Sequence, residues 1–235
     1  MKSAVLVIGN EVLAGKVSDI NSNFFTKALW DLGAPVKKVE IIPDEFDLIV
    51  ERVQWLSQNF DYLFVTGGIG ATHDDLTRQA VSAAMHVPCV RNDEAIRVME
   101  QHYGEKMDEA QKEMAGLPQG CKLINNPVSF APGFYIQNIF VFPGFPEMIR
   151  DMFPSVIPLI KGNTQFYEEI KTQYKESEYA DYLRKVSEAY APQVEIGSYP
   201  KLPPSPFKTL ISVTSTNAAL VKEVVAKIRS DLKIK

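Results

Sequence analysis

The sequence predicts an α/β protein: a mostly parallel sheet with helices on both faces, followed by a small α+β module. Three observations predict this. Apolar runs of strand length alternate with amphipathic helical stretches from residue 4 to residue 76. The run Tyr62-Leu63-Phe64-Val65-Thr66 passes straight into Gly67-Gly68-Ile69-Gly70 and a helix start, the strand–turn–helix unit of parallel sheets. Beyond Lys161-Gly162-Asn163 the order becomes β-α-β-β-α, close to a split βαβ unit. The boundary is drawn there, giving domains 1–162 and 163–235.

Ala4–Ile8 is a continuous apolar run ending in Gly9, as expected of a strand covered on both faces. Asn21–Leu32 is helical, with Phe24, Phe25, Ala28, Leu29 and Leu32 on one face. Asp19 or Asn21 caps its start and Gly33 closes it. Val36–Ile42 is the second strand. Phe46–Phe60 is the second helix, with Phe46, Ile49, Val50, Val53 and Leu56 as its apolar stripe. Tyr62–Thr66 is the third strand, and a third helix starts near Asp74. Residues 90–117 read as helical and more polar. Residues 125–142 hold two short strand-like runs around Gly133, before the turn Pro143-Gly144-Phe145-Pro146 and a helix from Glu147 to about Ile160. The module then reads as a strand (165–171), a helix (176–190), two strands (193–199 and 207–214) and a last helix (218–232).

Composition narrows the class. Of 235 residues, 46% are hydrophobic and 23% charged, the balance of a folded globular protein. A net charge of −4 gives no broad basic field for nucleic acid or an anionic membrane. The apolar N-terminus is too short for a signal peptide, and no stretch reaches the about 18 apolar residues that a membrane span needs. Cys89 and Cys121 form no metal-spaced pair. They read as buried thiols in a reducing compartment, so the expectation is a soluble, cytoplasmic protein.

Ligands of open parallel sheets bind beyond the carboxyl ends of the strands. Gly9-Asn10-Glu11, Pro43-Asp44 and Gly67 to Asp75 all fall there. Glycines between strand and helix let backbone amides approach a phosphate. Asp74 and Asp75 follow at once, and carboxylates can hold a divalent cation that bridges to phosphate. The competing reading is a tight turn with Thr72 and Asp75 capping the next helix. Asp44 is either a ligand or general base across the rim, or the N-cap of the helix after it. Asn10 and Glu11 contact a ligand or start a loop, and His73 is a ligand contact or a solvent-facing side chain. Pro143-Gly144 offers a second set of amides, or plain turn chemistry with Pro near a helix start.

Four ordered motifs carry a resemblance. Gly9-Asn10-Glu11-Val12-Leu13-Ala14-Gly15 with Asp19-Ile20-Asn21, then Thr66-Gly67-Gly68-Ile69-Gly70 with Asp74-Asp75-Leu76-Thr77, resemble the N-terminal domain of the competence/damage-inducible protein CinA. Asn126-Pro127 with Ala131-Pro132-Gly133-Phe134, then Phe142-Pro143-Gly144-Phe145-Pro146-Glu147-Met148, follow in the same order. His73-Asp74-Asp75 and Val194-Glu195-Ile196-Gly197-Ser198-Tyr199-Pro200 look more like the N-terminal region of eukaryotic FAD synthase. The resemblance implies the MoaB/MogA-like molybdopterin-binding fold, often trimeric, so a homo-oligomer (trimer or dimer) is expected. It implies functional roles for Asp44 and Asp75. In the CinA and FAD synthase branches it implies a divalent-metal-dependent (Mg, Mn or Co) pyrophosphatase that splits ADP-ribose- or FAD-like substrates and releases AMP. Thr66, Gly67, Gly68, Gly70, Gly9, Asn10, Glu11, Asn21, His73, Pro143 and Gly144 would then bind substrate, and Asp74 and Asp75 the metal. Adenylylation of molybdopterin, or nucleotide or pterin binding without turnover, are the alternatives. The chain departs from the family pattern at Ala71, usually Pro, and at Ser129-Phe130, usually a small pair with Gly.

Overall fold

The computed structural model describes residues 1–104, 107–129 and 131–234. The chain divides into two compact units, Met1–Gly162 and Asn163–Lys235.

In the first unit, β1 (Ser3–Ile8) is flanked by β2 (Val36–Ile42) and β3 (Tyr62–Thr66), both parallel to it. The strand β8 (Ile139–Phe142) pairs parallel with β3, and β7 (Gly133–Ile136) and β6 (Lys122–Ile124) extend the sheet antiparallel. The order is β2-β1-β3-β8-β7-β6. Every residue of β1 is buried, as the unbroken apolar run requires of a strand covered on both faces. The strand β2 is an edge, and its Lys37, Lys38 and Glu40 suit an edge that must not pair further.

Strand alternation sends side chains into two separate cores. Leu6, Ile8, Leu63, Val65 and Val141 pack on one face against Ile49, Val53 and Leu56 of α3 (Phe46–Asn59) and Ala80 and Val81 of α4 (Thr77–Ala84). Val5, Val7, Phe64, Phe140 and Phe142 pack on the other against Phe25 and Leu29 of α2 (Asn21–Asp31) and Ile149 and Met152 of α7 (Pro146–Met152). Phe64 stacks on Phe140 with ring centroids 5.2 Å apart and 12° between planes. Helices thus cover both faces of a mostly parallel sheet. Among the described residues, no helix is long and apolar enough to cross a membrane.

Several local expectations are corrected. Asn10 and Glu11 open a one-turn helix, α1 (Asn10–Leu13), rather than a loop. The third helix begins at Thr77, because Asp75 is occupied within the preceding loop. Residues 90–117 are not helical throughout. The helices α5 (Asp93–Tyr103) and α6 (Glu109–Glu113) lie between β4 (Cys89–Arg91) and β5 (Gly116–Pro118), which pair antiparallel. That pairing joins residues far apart in sequence, so no local period reveals it. The helix expected to run to Ile160 ends at Met152 and continues as 3-10 turns at Phe153–Ser155 and Ile157–Leu159. Pro154 and Pro158 lack the N–H an α-helix needs there. Cys89 is exposed and Cys121 partly exposed, both as free thiols, because β4 is a surface ribbon.

The second unit contains β9 (Phe166–Thr172), α8 (Ala180–Tyr190), β10 (Glu195–Pro200), β11 (Thr209–Ser215) and α9 (Ala218–Asp231). The strand β11 lies between β10 and β9, antiparallel to both. This is the split βαβ arrangement that the element order predicts. Ile170, Ile211 and Val213 of the sheet, Leu183 and Val186 of α8, and Val221, Val224, Val225 and Ile228 of α9 form its core.

Candidate functional site

The strands β2, β1, β3 and β8 run parallel, so the segments after Ile42, Ile8, Thr66 and Phe142 share one rim. A cavity of about 440 Å³ opens there. It is lined by Glu11, Asp44, the stretch Gly67–Thr72, Asp74, Asp75 and Pro143–Phe145.

The glycine loop is held by contacts that demand glycine. Gly67 has φ +100°, and a Cβ there would strike the carbonyl oxygen of Ile8. Gly68 has φ +65°, and its Cβ would strike Thr77 Oγ1. Thr77 Oγ1 donates to the Gly67 carbonyl at 2.9 Å, and the Thr77 amide to Gly68 at 3.0 Å. The start of α4 is therefore pinned under the loop.

Asp75 organises the loop from inside. Its Oδ1 accepts from the Gly70 amide at 2.7 Å, and its Oδ2 from the Thr72 amide at 2.8 Å and Thr72 Oγ1 at 2.6 Å. Thr72 Oγ1 also lies 2.5 Å from Asp74 Oδ1, so one hydroxyl proton serves two carboxylates. The hydroxyl bond and Asp74's own backbone amide, with a smaller contribution from His73, hold the Asp74 carboxyl below its ordinary value. Beneath the loop, buried Arg78 donates from Nη1 to the Gly70 carbonyl at 2.6 Å.

Asp44 does not cap α3. The cap position belongs to Glu45, with no side-chain bond, while Asp44 Oδ2 accepts from the Asn10 amide at 2.8 Å. Burial pushes the Asp44 carboxyl above its ordinary value. The Asn10 bond opposes the shift, and the charges of Glu11, Asp74 and Asp75 add to it.

Other sequence candidates divide between several positions. The Asn10 side chain is exposed and absent from the cavity wall; its amide alone contributes, through Asp44. His73 is exposed and also outside the wall. Gly9 is buried, with the Glu11 carboxylate folded over the position its Cβ would take. Asn21 and Thr66 line a smaller neighbouring cavity instead. The cap position of α2 is Ile20; Asp19 just before it, not Asn21, accepts from the Ser22 amide at 3.0 Å. The Gly67 amide is not free for a ligand, since it donates to the Phe142 carbonyl at 3.2 Å. Among the described residues, the Gly68, Ile69 and Ala71 amides have no acceptor.

Sequence reasoning missed one wall of the cavity. Asn126, Ser129, Ala131, Met114 and Met148 also line it. Asn126 is buried. Its Nδ2 donates to Ser129 Oγ and the Ala131 carbonyl, and its Oδ1 accepts from the Val128 and Ser129 amides. Asn126-Pro127 enters the sequence reading only as one of the motifs of the resemblance; burial of the Asn126 side chain is a tertiary fact. Phe130, part of one family departure, lies outside the described residues.

Four carboxylates thus face an amide-lined cavity that has no cationic side chain among its described lining residues. An anion entering it meets favourable amides and unfavourable carboxylates. The oxygen donors suit a hard divalent cation. Among the described residues, no three His, Cys, Asp or Glu side chains gather closely enough to hold a metal by themselves. Such a site fits a cation held by one or two carboxylates together with a ligand's phosphates.

Residues 4–162 match the family described as probable molybdopterin binding domain, and residues 164–235 the family described as FAD synthase, middle domain. A protein of Archaeoglobus fulgidus is 31% identical over 225 residues, covering 96% of this chain and 95% of its own length. A probable FAD synthase of Caenorhabditis elegans is 28% identical over 254 residues, covering 97% of this chain, which spans 49% of that relative. A CinA-like protein of Desulforapulum autotrophicum is 33% identical over 159 residues, 65% of this chain and 38% of its own. The crystal structure of CinA from Thermoplasma acidophilum superposes with a TM-score of 0.65 at 24% identity, covering 68% of this chain and 99% of that one. At that identity the likeness speaks for the fold. With the match to residues 4–162, the chain belongs to the probable molybdopterin binding domain family.

Proposed function

We propose that the first unit is a divalent-metal-dependent pyrophosphatase that cleaves an ADP-ribose- or FAD-like diphosphate and releases AMP. The observation that carries this reading is the pairing of an amide cradle with four carboxylates on one cavity. An anion site of that composition needs a cation to offset the repulsion, and a diphosphate brings one. The similarity to CinA-like proteins and to FAD synthase supports the same substrate class.

The free amides of Gly68, Ile69 and Ala71 would donate to phosphate oxygens as charge develops on them. Asp74 and Asp75 would hold the cation, which when bound would supply charge neutralisation across the diphosphate. Asp75 also keeps the loop in shape, and it lines the same cavity. Water would attack the adenylyl phosphorus, the phosphoanhydride P–O bond would break with the other phosphate monoester (ribose 5-phosphate or its FMN counterpart) leaving on the bridging oxygen, and AMP, carrying the water's oxygen, would be released. Asp44 is the carboxylate to accept the water's proton, because burial has already raised its proton affinity.

The test is AMP release from ADP-ribose, FAD and NADH with Mg²⁺, Mn²⁺ or Co²⁺, for the wild type and for Asp44→Asn and Asp75→Asn. Metal-dependent release that both variants lose by about 100-fold or more is expected. Wild-type turnover in both variants, or no release from any pair, would sink the reading. A second reading, nucleotide or pterin binding without turnover, is favoured by the lack of a preformed three-ligand cluster among the described residues. Tight binding with no turnover under any metal would select it.

A further inference from the structure

We infer that the small cavity beside the main one is a subsite for the ribose hydroxyls of the nucleotide. This inference rests on the nucleotide reading of the main cavity. The small cavity holds about 60 Å³ and shares Ile8, Glu11, Gly67 and Gly144 with the larger one. Asn21 lines it and is 8% exposed.

The hydrogen bonds of Asn21 orient its amide. Nδ2 donates to the Gly144 carbonyl at 2.8 Å and to Thr66 Oγ1 at 3.3 Å. Thr66 Oγ1 in turn donates to the Pro143 carbonyl at 2.9 Å, so the hydroxyl proton is spent. That leaves Asn21 Oδ1 buried with no partner. A buried acceptor without a donor is uncommon in a folded protein and points to a group that arrives with a ligand. The second open acceptor is the carboxylate of Glu11, which lines both cavities and has no hydrogen-bond or ion-pair partner among the described residues. Both groups accept, so the missing group must donate.

Size and position choose the donor. The small cavity is a fraction of its 440 Å³ neighbour, so the bulk of a nucleotide fits the larger cavity and a small polar part of it reaches the smaller one. Of the donors on a nucleotide, the ribose hydroxyls lie nearest the 5′-phosphate, whereas amino groups of the base sit at the far end. A vicinal diol supplies two O–H groups for two acceptors. An acidic residue on ribose hydroxyls is an established way for a sheet-rim site to read a nucleotide.

The test is calorimetric titration of the full chain with AMP, 2′-deoxy-AMP and 3′-deoxy-AMP, each with and without Mg²⁺. The wild type is expected to bind AMP at least about tenfold more tightly than one or both deoxy analogues, the loss of one hydrogen bond to a charged or buried acceptor. Glu11→Gln, at an exposed position, and Asn21→Leu should each weaken AMP while leaving unchanged the deoxy analogue that lacks the hydroxyl the replaced residue accepts, so that the preference over that analogue collapses. Equal binding of all three nucleotides by the wild type overturns the subsite while the nucleotide site stands. No binding of any of the three overturns both. Should Asn21→Leu fail to fold, Glu11→Gln carries the comparison alone.

Discussion

The backbone amide of Asn10 donates to Asp44 Oδ2 across 2.8 Å, tying the start of α1 after β1 to the loop after β2. The bond gives Asp44 a place at the rim that a helix cap would not. Burial still raises its carboxyl above the ordinary value, with Glu11, Asp74 and Asp75 adding to the shift. A carboxyl raised on folding supports the fold fully below its unfolded value. That support is lost as pH climbs through the raised value, so at pH 7 ionised Asp44 works against the fold. Asp44→Asn keeps an oxygen for the Asn10 amide and removes the charge. Its melting temperature should equal or exceed the wild type's at pH 7, with the gap closing as pH falls into the ordinary aspartate range. A lower Tm at pH 7 would contradict this.

Gly67→Ala should destabilise the first unit. The new Cβ meets the Ile8 carbonyl, which is backbone in a buried strand, and φ +100° disfavours any side chain. A residue forced into so sparse a backbone region costs on the order of 1–3 kcal/mol. Urea unfolding would show this as a lower midpoint at unchanged slope.

Asp75 and Asp74 separate loop structure from ligand contact. Asp75→Asn turns one acceptor into a donor facing amide or hydroxyl donors, and should cost about 1–3 kcal/mol. Asp74→Asn disturbs the Thr72 hydroxyl and Asp74's own amide on an exposed side chain, and should lower the Tm far less. Both should weaken metal-dependent AMP release. Equal loss of Tm in the two variants would contradict the division.

The two cysteines should differ in reactivity. Cys89 is exposed, while burial and the neighbouring Cys89 push the Cys121 thiol up to about 11. The thiolate is the reactive form, so iodoacetamide at pH 8 should label Cys89 first. Peptide mass mapping reads the order directly, and faster labelling of Cys121 would refute it.

In the second unit, Ile211 is fully buried on the central strand β11. Ile211→Ala should cost about 2–5 kcal/mol, a large share of the roughly 5–15 kcal/mol that stabilises a domain. Circular dichroism melting should show a transition shifted down by several degrees or lost.

The sequence by itself determined the elements whose burial is local and periodic. The run Ala4–Ile8, the stripe of α3 and the β-α-β-β-α order of the second unit were legible because a strand or helix writes its buried face into two to four neighbouring residues. The glycine loop and its acidic residues were legible for the same reason, since Gly67 to Asp75 fold largely on themselves. Tertiary structure alone decided what those residues face. Asn21 meets Gly144 across 123 positions, and Asp44 meets Asn10 across 34, so neither partner could be read from spacing. The parallel pairing of β8 with β3 brought Pro143 and Gly144 to the rim, and Asn126, Met114 and Met148 closed a wall that no local pattern announced. A cavity is a property of several chain segments at once, and its lining carries no period along any one of them.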